Sequence, residues 1–208
     1  MIDKKTYIYG AGGHALVVAD TAAALGIEIE GFLDDFDSNP ERRVLGKKVY
    51  SAAVLQCGDT VYMGFGNNAI RQKIALSLLE RGIYLPKLIH PSATVAESAE
   101  IADGCYIGAG VIIDPLCKIG RFSILNNGTI VCHETVIDEA VHLCPRTVCA
   151  GKVHVGARSW LGVGSSVIEK IKISADVFIG AGSVLVKDID ESNITVYGVP
   201  AKFQKRNK

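Results

Sequence analysis

The chain contains no long uncharged apolar run and no signal-peptide pattern. None of its segments reaches the roughly 18 consecutive apolar residues that predict a membrane span. The N-terminus, Met1 to Lys5, leads directly into a strand-like run, without the apolar stretch and small-residue cleavage site of a secretory signal. We therefore predict a cytoplasmic protein that contacts no membrane.

The chain also lacks an excess of charge of either sign. Its 22 lysines and arginines balance 22 aspartates and glutamates, so it does not carry the basic surplus that is typical of nucleic-acid binders. Hydrophobic residues make up 49% of the 208 positions, which is enough to bury a core. We expect a small-molecule partner and no nucleic acid.

No pair among the six cysteines has the CxxC spacing of a redox or zinc site. Without a secretory signal, a chain of this length is expected to keep its thiols reduced. Cys57 lies in the first part of the chain, and the others lie in a repetitive segment where a small apolar side chain fits. We predict no metal or redox role for Cys57, Cys105, Cys117, Cys132, Cys144 and Cys149.

Apolar residues recur at every sixth position in the second part of the chain. Neither the period of 3.6 of a helix nor the period of 2 of a strand produces this spacing. A small or β-branched residue lies four positions after each of these apolar residues, and glycine often comes directly after the apolar residue. The series is Val95, Ile101, Ile107, Ile113, Ile119, Leu125, Val131, Ile137, Leu143, Cys149, Val155, Leu161, Val167, Ile173, Ile179 and Leu185.

Short strands separated by tight corners explain the period of six. If three units make one turn of a triangular coil, each aliphatic side chain points to the axis and stacks on its counterpart 18 residues away. Successive coils then lie about 4.8 Å apart, the usual spacing of paired strands, and the series gives about five coils. The residues alone do not determine the hand of the coil, and the general preference favours right-handed crossovers.

The first part of the chain has the pattern of a nucleotide-binding unit. A predicted strand over residues 6–9 is followed by the glycine loop Gly10-Ala11-Gly12-Gly13-His14 and a helix to about Leu25. Such glycines let a backbone approach phosphate, and the helix N-terminus supplies free N–H donors. Asp34 suits a bond to a ribose hydroxyl or a base edge. An NAD site is the competing interpretation, which the small size of the unit disfavours.

The chain resembles, nearly end to end, the hexapeptide-repeat family of sialic-acid O-acetyltransferases and nucleotide-aminosugar N-acetyltransferases. The resemblance implies an α/β Rossmann-like domain followed by an all-β left-handed parallel β-helix. It also implies a homotrimer in which acetyl-CoA lies along active sites between subunits. The matching motifs are Tyr9-Gly10-Ala11-Gly12-Gly13-His14, Phe32-Leu33-Asp34-Asp35, Gly66-Asn67-Asn68, His90-Pro91 and Val131-Cys132-His133-Glu134.

Within that family the chain is most similar to the N-acetyltransferases that act on UDP-4-amino-4,6-dideoxy sugars in bacillosamine synthesis. We expect a nucleotide-sugar domain over residues 1–88, an acetyltransferase domain over 89–188, and a capping loop and tail over 189–208. The resemblance implies that the uridine diphosphate is held by Gly12, Gly13, His14, Asp34, Asp35 and Gly66.

Acetyl transfer to an amine needs a base for the amine proton and a donor for the developing oxyanion. His133 lies two positions after its aliphatic marker Val131, so we expect it at a corner of the coil. A carboxylate beside an imidazole fixes its tautomer and raises its basicity, a role that suits Glu134. The two residues match the catalytic pair of the family.

The other predicted site residues follow from spacing and from the resemblance. Asn126 is a polar residue beside an axial position, suited to orient His133 or the amine. Gly151 lies 18 residues after His133, where its N–H can face the oxyanion and its missing side chain leaves room for the thioester. The resemblance places His142 at the thioester of acetyl-CoA. The remaining predicted acetyl-CoA contacts are Gly180 and Ala181, and we predict no metal ligand.

Three alternatives remain at this point. The β-helical carbonic anhydrases share the coil and bind zinc through three histidines, for which His133, His142 and His154 are the candidates, although their spacing does not match. A β-helix that serves only as a scaffold is the second alternative, and O-acetylation of a sialic acid is the third. The residues do not decide between UDP, GDP and CMP, or between amines at C3 and C4.

Overall fold

The structure, a computed structural model, describes residues 4–36, 39 and 41–207. Its N-terminal strands are β1 (Thr6–Tyr9), β2 (Gly31–Leu33), β3 (Arg43–Val44), β4 (Lys47–Tyr50) and β5 (Thr60–Met63). The helices are α1 (Gly13–Ala24) and α2 (Asn68–Glu80), with a short 3₁₀ turn at Ala52–Val54. The sheet order is β3-β4-β2-β1-β5, and the β3–β4 pair is antiparallel whereas the other pairs are parallel. No helix in the described ranges has the length and apolar character needed to cross a bilayer.

A tight turn joins β1 to α1, in the predicted order of strand, glycine loop and helix. Gly10 has a φ of +119°, and a Cβ there would lie 2.7 Å from the carbonyl oxygen of Gly64. Only glycine permits this close approach between the ends of β1 and β5. The turn places Gly12 and Gly13 at the N-terminus of α1, beside the carboxyl ends of the parallel strands.

The rest of the chain winds into a left-handed parallel β-solenoid with three faces. Face I contains β6 (Leu88–Ile89), β9 (Tyr106–Ile107), β12 (Ile124–Leu125), β15 (His142–Leu143), β18 (Trp160–Leu161), β21 (Phe178–Ile179), β23 (Ile194–Gly198) and β24 (Ala201–Arg206). Face II contains β7 (Thr94–Val95), β10 (Ile112–Ile113), β13 (Ile130–Val131), β16 (Val148–Cys149), β19 (Ser166–Val167) and β22 (Val184–Leu185). Face III contains β8 (Glu100–Ile101), β11 (Lys118–Ile119), β14 (Val136–Ile137), β17 (His154–Val155) and β20 (Lys172–Ile173).

The predicted stacking of residues 18 positions apart is confirmed. Val131 pairs with both Ile113 and Cys149, and the same offset joins strands around all three faces. The aliphatic series from Ile107 to Leu185 is buried on the axis. The coil is left-handed, as the resemblance implied and against the general preference for right-handed crossovers.

The N-terminal part packs on face I of the solenoid. Tyr106 and Ile124 lie in one apolar core with Val18 and Ala22 of α1. The hydroxyl of Thr21 lies 3.0 Å from the hydroxyl of Tyr106 within the same contact. Face I is therefore covered in its first coils by the segment that carries the glycine loop.

The C-terminal segment differs from the expected loop and tail. β23 pairs in parallel with β21 and so extends face I, and β24 folds back on β23 in an antiparallel pair. A sheet edge presents unpaired N–H and carbonyl groups, and an added strand satisfies them. The segment caps the solenoid as a hairpin because the last coil leaves such an edge.

Candidate active site

His133 and Glu134 form an exposed pair at the corner between faces II and III. His133 follows β13, and 58% of its side chain is exposed. Its Nδ1 lies 3.2 Å from Oε2 of Glu134, and Nζ of Lys152 lies 3.3 Å from the same oxygen. The hydrogen bond with His133 is the main cause that lowers the pKa of the Glu134 carboxyl. An ionised Glu134 keeps the proton on Nδ1 and leaves Nε2 as the proton acceptor.

The imidazole ring of His133 packs on Gly151, one coil further along the same corner. A Cβ on Gly151 would lie 2.6 Å from both Cε1 and Nε2 of the ring. Glycine makes room here as expected. The room that we assigned to the thioester is, however, taken by the ring of the candidate base.

The N–H of Gly151 has no hydrogen-bond partner within the described part of the chain. The neighbouring N–H groups of Ala150 and Lys152 donate to the carbonyls of Val167 and His133. A free donor beside a base is what oxyanion stabilisation requires. Equivalent corner positions such as Ala181 leave their N–H groups free as well, so the oxyanion role of Gly151 stays a prediction.

Asn126 lies at a different corner of the coil from His133. It follows β12 and so stands between faces I and II, where its Oδ1 accepts a hydrogen bond of 2.8 Å from the Asn127 N–H. Among the described residues, no hydrogen bond joins Asn126 to His133. One chain alone therefore does not bring the two predicted catalytic residues together.

Gly180 and Ala181 lie at the same corner as Asn126, after β21. Gly180 donates its N–H to Val196, and a Cβ on Gly180 would lie 2.6 Å from the Cβ of Tyr197. The C-terminal hairpin thus explains this glycine by packing. Ala181 is exposed. Its predicted contact with acetyl-CoA stays a prediction, as does that of Gly180.

His142 is buried on face I and lies away from the exposed corner of His133. Its ring centroid is 4.2 Å from that of Trp160 and 6.1 Å from that of His14. Burial, assisted by the charge of Arg71, lowers the pKa of His142 to about 3 and that of His14 to about 4. Both imidazoles are therefore neutral near pH 7. In the single chain, the buried His142 therefore offers no exposed surface for its predicted contact with acetyl-CoA.

Five of the six predicted nucleotide-binding residues line one cavity of about 340 Å³. A Cβ on Gly12 or Gly13 would meet no protein atom within 4 Å, so internal packing does not explain these two glycines. Open space over a glycine turn at a helix N-terminus fits an approaching phosphate. The five residues are Gly12, Gly13, His14, Asp34 and Gly66.

Asp34 and Asp35 have different surroundings. Asp34 lines the cavity and accepts a hydrogen bond of 2.8 Å from the Arg42 guanidinium. Asp35 instead accepts hydrogen bonds from the Tyr9 hydroxyl at 2.5 Å and the Ala52 N–H at 2.8 Å. Burial raises the pKa of Asp35, but these hydrogen bonds outweigh it and hold the pKa below its usual value. These contacts tie the Asp35 side chain to the 3₁₀ turn. Asp35 does not line the cavity.

Sequence reasoning missed the role of Arg71, which is fully buried at the junction of α2 with the solenoid. Its Nε donates to the carbonyl of Phe122 at 2.7 Å, across 51 residues of sequence. Arginine is seldom buried, so composition gives no hint of this role. The one signal in the sequence is the position of Arg71 on the helix that follows the glycine turn. Its other acceptors are the carbonyl oxygens of Phe65, Gly66, Ala140 and Val141 and the side-chain oxygen of Asn68.

Comparisons with known proteins identify the family of the chain. Residues 5–78 match the PglD N-terminal domain. The GDP-perosamine N-acetyltransferase of Escherichia coli is 30% identical over 150 residues, which cover 70% of this chain and 67% of the relative. The chain belongs to the hexapeptide-repeat sugar N-acetyltransferases.

Solved structures similar to this sugar N-acetyltransferase contain CoA, acetyl coenzyme A or GDP-perosamine. PerB from Caulobacter crescentus, in complex with CoA and GDP-perosamine, is 34% identical with a TM-score of 0.89, and the match covers 99% of each chain. The acetyltransferase domain of PglB from Neisseria gonorrhoeae, in complex with acetyl coenzyme A, is 34% identical with a TM-score of 0.90. That match covers 97% of this chain and all of the domain.

The family assignment removes two of the alternatives. The chain is an acetyltransferase, so a pure scaffold and a carbonic anhydrase are both wrong. The three histidines considered as zinc ligands are also dispersed in this sugar N-acetyltransferase. His133 is at a corner, His142 is buried on face I, and Nε2 of His154 pairs with Asp138 at 3.1 Å on face III.

Proposed function

We propose that the chain transfers the acetyl group of acetyl-CoA directly to the amino group of a nucleotide-linked amino sugar, with His133 as the general base. The observation that carries this proposal is the geometry of His133 at an exposed corner. Glu134 holds Nδ1 at 3.2 Å, Gly151 supports the ring, and Nε2 is left without a hydrogen bond among the described residues. An imidazole held in this way accepts a proton at Nε2.

The nucleotide of the acceptor binds in the glycine-loop cavity. Gly12 and Gly13 give a diphosphate access to the N-terminus of α1, and Asp34 stands on the same wall for a ribose or base contact. On the basis of the sequence motifs, we favour a UDP-linked 4-amino-4,6-dideoxy-N-acetylhexosamine as the acceptor. A GDP-linked amino sugar is the second candidate, because relatives that match this chain act on or bind GDP-perosamine.

We propose a homotrimer in which each active site combines two chains. His133 and Gly151 stand at one edge of face II, and Asn126 and Gly180 stand at the other edge, so two copies are needed to unite them. The outward residues of face II support this assembly, because a row of apolar side chains on a surface marks an interface. That row contains Ile112, Ile130, Val148 and Val184, with Ser166 between the last two.

Within this scheme, residues 1–88 bind the nucleotide sugar and residues 89–188 carry out the transfer. Residues 189–208 close the end of the solenoid. The boundary near residue 88 is supported by the first solenoid strand, β6, which begins at Leu88.

A thiol-release assay with acetyl-CoA tests the reaction and its acceptor. We expect turnover with a UDP- or GDP-linked amino sugar and none with free sialic acid. Turnover with sialic acid alone would replace the proposal with O-acetylation. Release of CoA when no acceptor sugar is added would show hydrolysis of acetyl-CoA and would also contradict the proposal.

Mixing two inactive variants tests the shared site. Co-expressed His133→Ala and Asn126→Ala chains should recover about a quarter of wild-type activity, because random assembly pairs the two intact residues at that fraction of interfaces. Each variant alone stays inactive. No recovery, in a mixture shown by mass to contain trimers of both variants, would contradict a site in which Asn126 and His133 come from two chains.

A further inference from the structure

We propose that the buried guanidinium of Arg71 supplies the net positive charge that retains the diphosphate of the acceptor, through the cavity wall and without touching it. This inference rests on the proposed nucleotide site. It assigns to Arg71 a role in selecting phosphorylated acceptors, in addition to its role in holding the two parts of the chain together.

Arg71 makes its hydrogen bonds to neutral groups. Its Nη1 donates to the carbonyl of Gly66 at 2.9 Å, and its Nη2 donates to the side-chain oxygen of Asn68 and the carbonyl of Ala140, each at 2.9 Å. Within the described ranges no carboxylate forms an ion pair with it. A buried charge that lacks a counter-ion is costly, and it favours an anion placed nearby.

The charge lies directly behind the nucleotide cavity. Gly66, whose carbonyl accepts from Arg71, is itself part of the cavity lining. The charge of Arg71 also acts on the lining residue His14, because it adds to the effect of burial in lowering the pKa of that imidazole. Low surrounding polarity preserves such an interaction, since a buried charge is screened much less by salt than an exposed one.

Arg42 is another cation beside the cavity, because its Nη2 donates to the carbonyl of the lining residue Ala11 at 3.1 Å. The described cavity wall itself holds no cationic side chain. Its described lining contains no lysine or arginine, and His14 is neutral near pH 7. The one carboxylate in the lining, Asp34, is paired with Arg42 at 2.8 Å. Among the described residues that contact the cavity lining, Arg71 is therefore the cation without a carboxylate partner, and the partial charge of the α1 N-terminus adds to its potential.

The test compares Arg71→Lys with Arg71→Gln, because both lose part of the hydrogen bonding whereas only lysine keeps the charge. Calorimetry gives the affinity ratio of UDP to uridine, and of GDP to guanosine, for each protein. We expect Arg71→Gln to lower the ratio about tenfold and Arg71→Lys to keep it within about threefold of wild type. Arg158→Gln is the matched control, because Asp176 pairs with Arg158 at 2.6 Å and cancels its charge.

Equal ratios for the lysine and glutamine variants would overturn the inference and leave Arg71 a purely structural role. If neither variant folds, wild-type protein is titrated with uridine, UMP and UDP at low and high salt. Affinity should rise with phosphate charge at both, because salt screens the helix terminus but screens a buried charge much less. Affinity independent of that charge would overturn the inference. Failure of every nucleoside and nucleotide to bind wild-type protein would instead contradict the proposed nucleotide site.

Discussion

The imidazole ring of His133 fills the space that a side chain on Gly151 would need. A methyl group there would come within 2.6 Å of Cε1 and Nε2. Glu134 holds the ring through Nδ1 at 3.2 Å. The candidate base is thus positioned by two neighbours, one from its own corner and one from the next coil.

Replacement of Gly151 should therefore displace the base. We expect Gly151→Ala to lower kcat about 100-fold, because the ring must turn away from its supported position, as misplacement of a catalytic group by about 1 Å does elsewhere. The melting temperature should change little, since the ring can move into solvent. Glu97→Ala, at the same corner three coils before Gly151, is the control and should keep wild-type kcat. An unchanged kcat for Gly151→Ala would show that the support is not needed.

Removal of the base should abolish most turnover without affecting the fold. We expect His133→Ala to lower kcat by about 10²- to 10⁴-fold, the range of general-base catalysis. The side chain is mostly exposed, so the melting temperature should stay near that of wild type. His154→Ala, an exposed histidine on face III, should retain activity. Wild-type kcat in the His133 variant would end the assignment.

The charge of Glu134 should affect how kcat/KM depends on pH. Glu134→Gln keeps a hydrogen-bond acceptor but removes the carboxylate that stabilises a protonated imidazole. We expect kcat/KM to fall about tenfold and the acid limb of its pH profile to move to lower pH, because the imidazolium then loses its proton more readily. Lys152→Met changes the other partner of Glu134 and serves for comparison. A profile that does not move would refute the tuning role.

Gly12 should be required for the nucleotide and not for folding. Its φ of −102° suits alanine, and an added Cβ meets no protein atom within 4 Å. We expect Gly12→Ala to raise the KM of the nucleotide sugar about tenfold or more, because the methyl group stands where the backbone approaches phosphate. The KM of acetyl-CoA and the free energy of unfolding should stay unchanged. A loss of stability instead of affinity would assign the glycine to the fold.

Acid should destabilise the contact between the two parts of the chain. The pKa of His14 is lowered to about 4 and that of His142 to about 3, so the unfolded chain binds protons that the folded chain excludes. Stability is therefore complete above about pH 6.5, the usual histidine value, and falls as the pH drops toward those lowered values.

A variant without one of these imidazoles isolates the effect. Between pH 7 and pH 4.5, His142→Phe should lose roughly 2 kcal/mol less stability than wild type, measured by urea unfolding. Phenylalanine keeps a ring against Trp160. His154→Phe, at an exposed position, should reproduce the wild-type pH dependence. Parallel pH curves for wild type and His142→Phe would contradict the burial argument.

The solenoid and the corner of His133 could both be predicted because their causes are local. Every unit of six needs an aliphatic residue on the axis, whatever the rest of the chain does, so the series around Val131 predicts the strands and their pairing. A residue two positions after such a marker must stand at a corner. The glycine loop before α1 was predictable for the same reason, because turn, strand and helix signals lie side by side.

The sequence by itself determined which face or corner each residue occupies, since that depends on its position within a repeat of six. That position also places Asn126 and His133 at different corners. Only the tertiary structure decided that His142 is covered and that Arg71 is buried against the solenoid. These outcomes depend on where the N-terminal part docks on face I, in contacts such as that of Arg71 with Phe122 across 51 residues. Contacts between distant segments are selected by the total packing free energy of two surfaces, and no spacing within either segment encodes it.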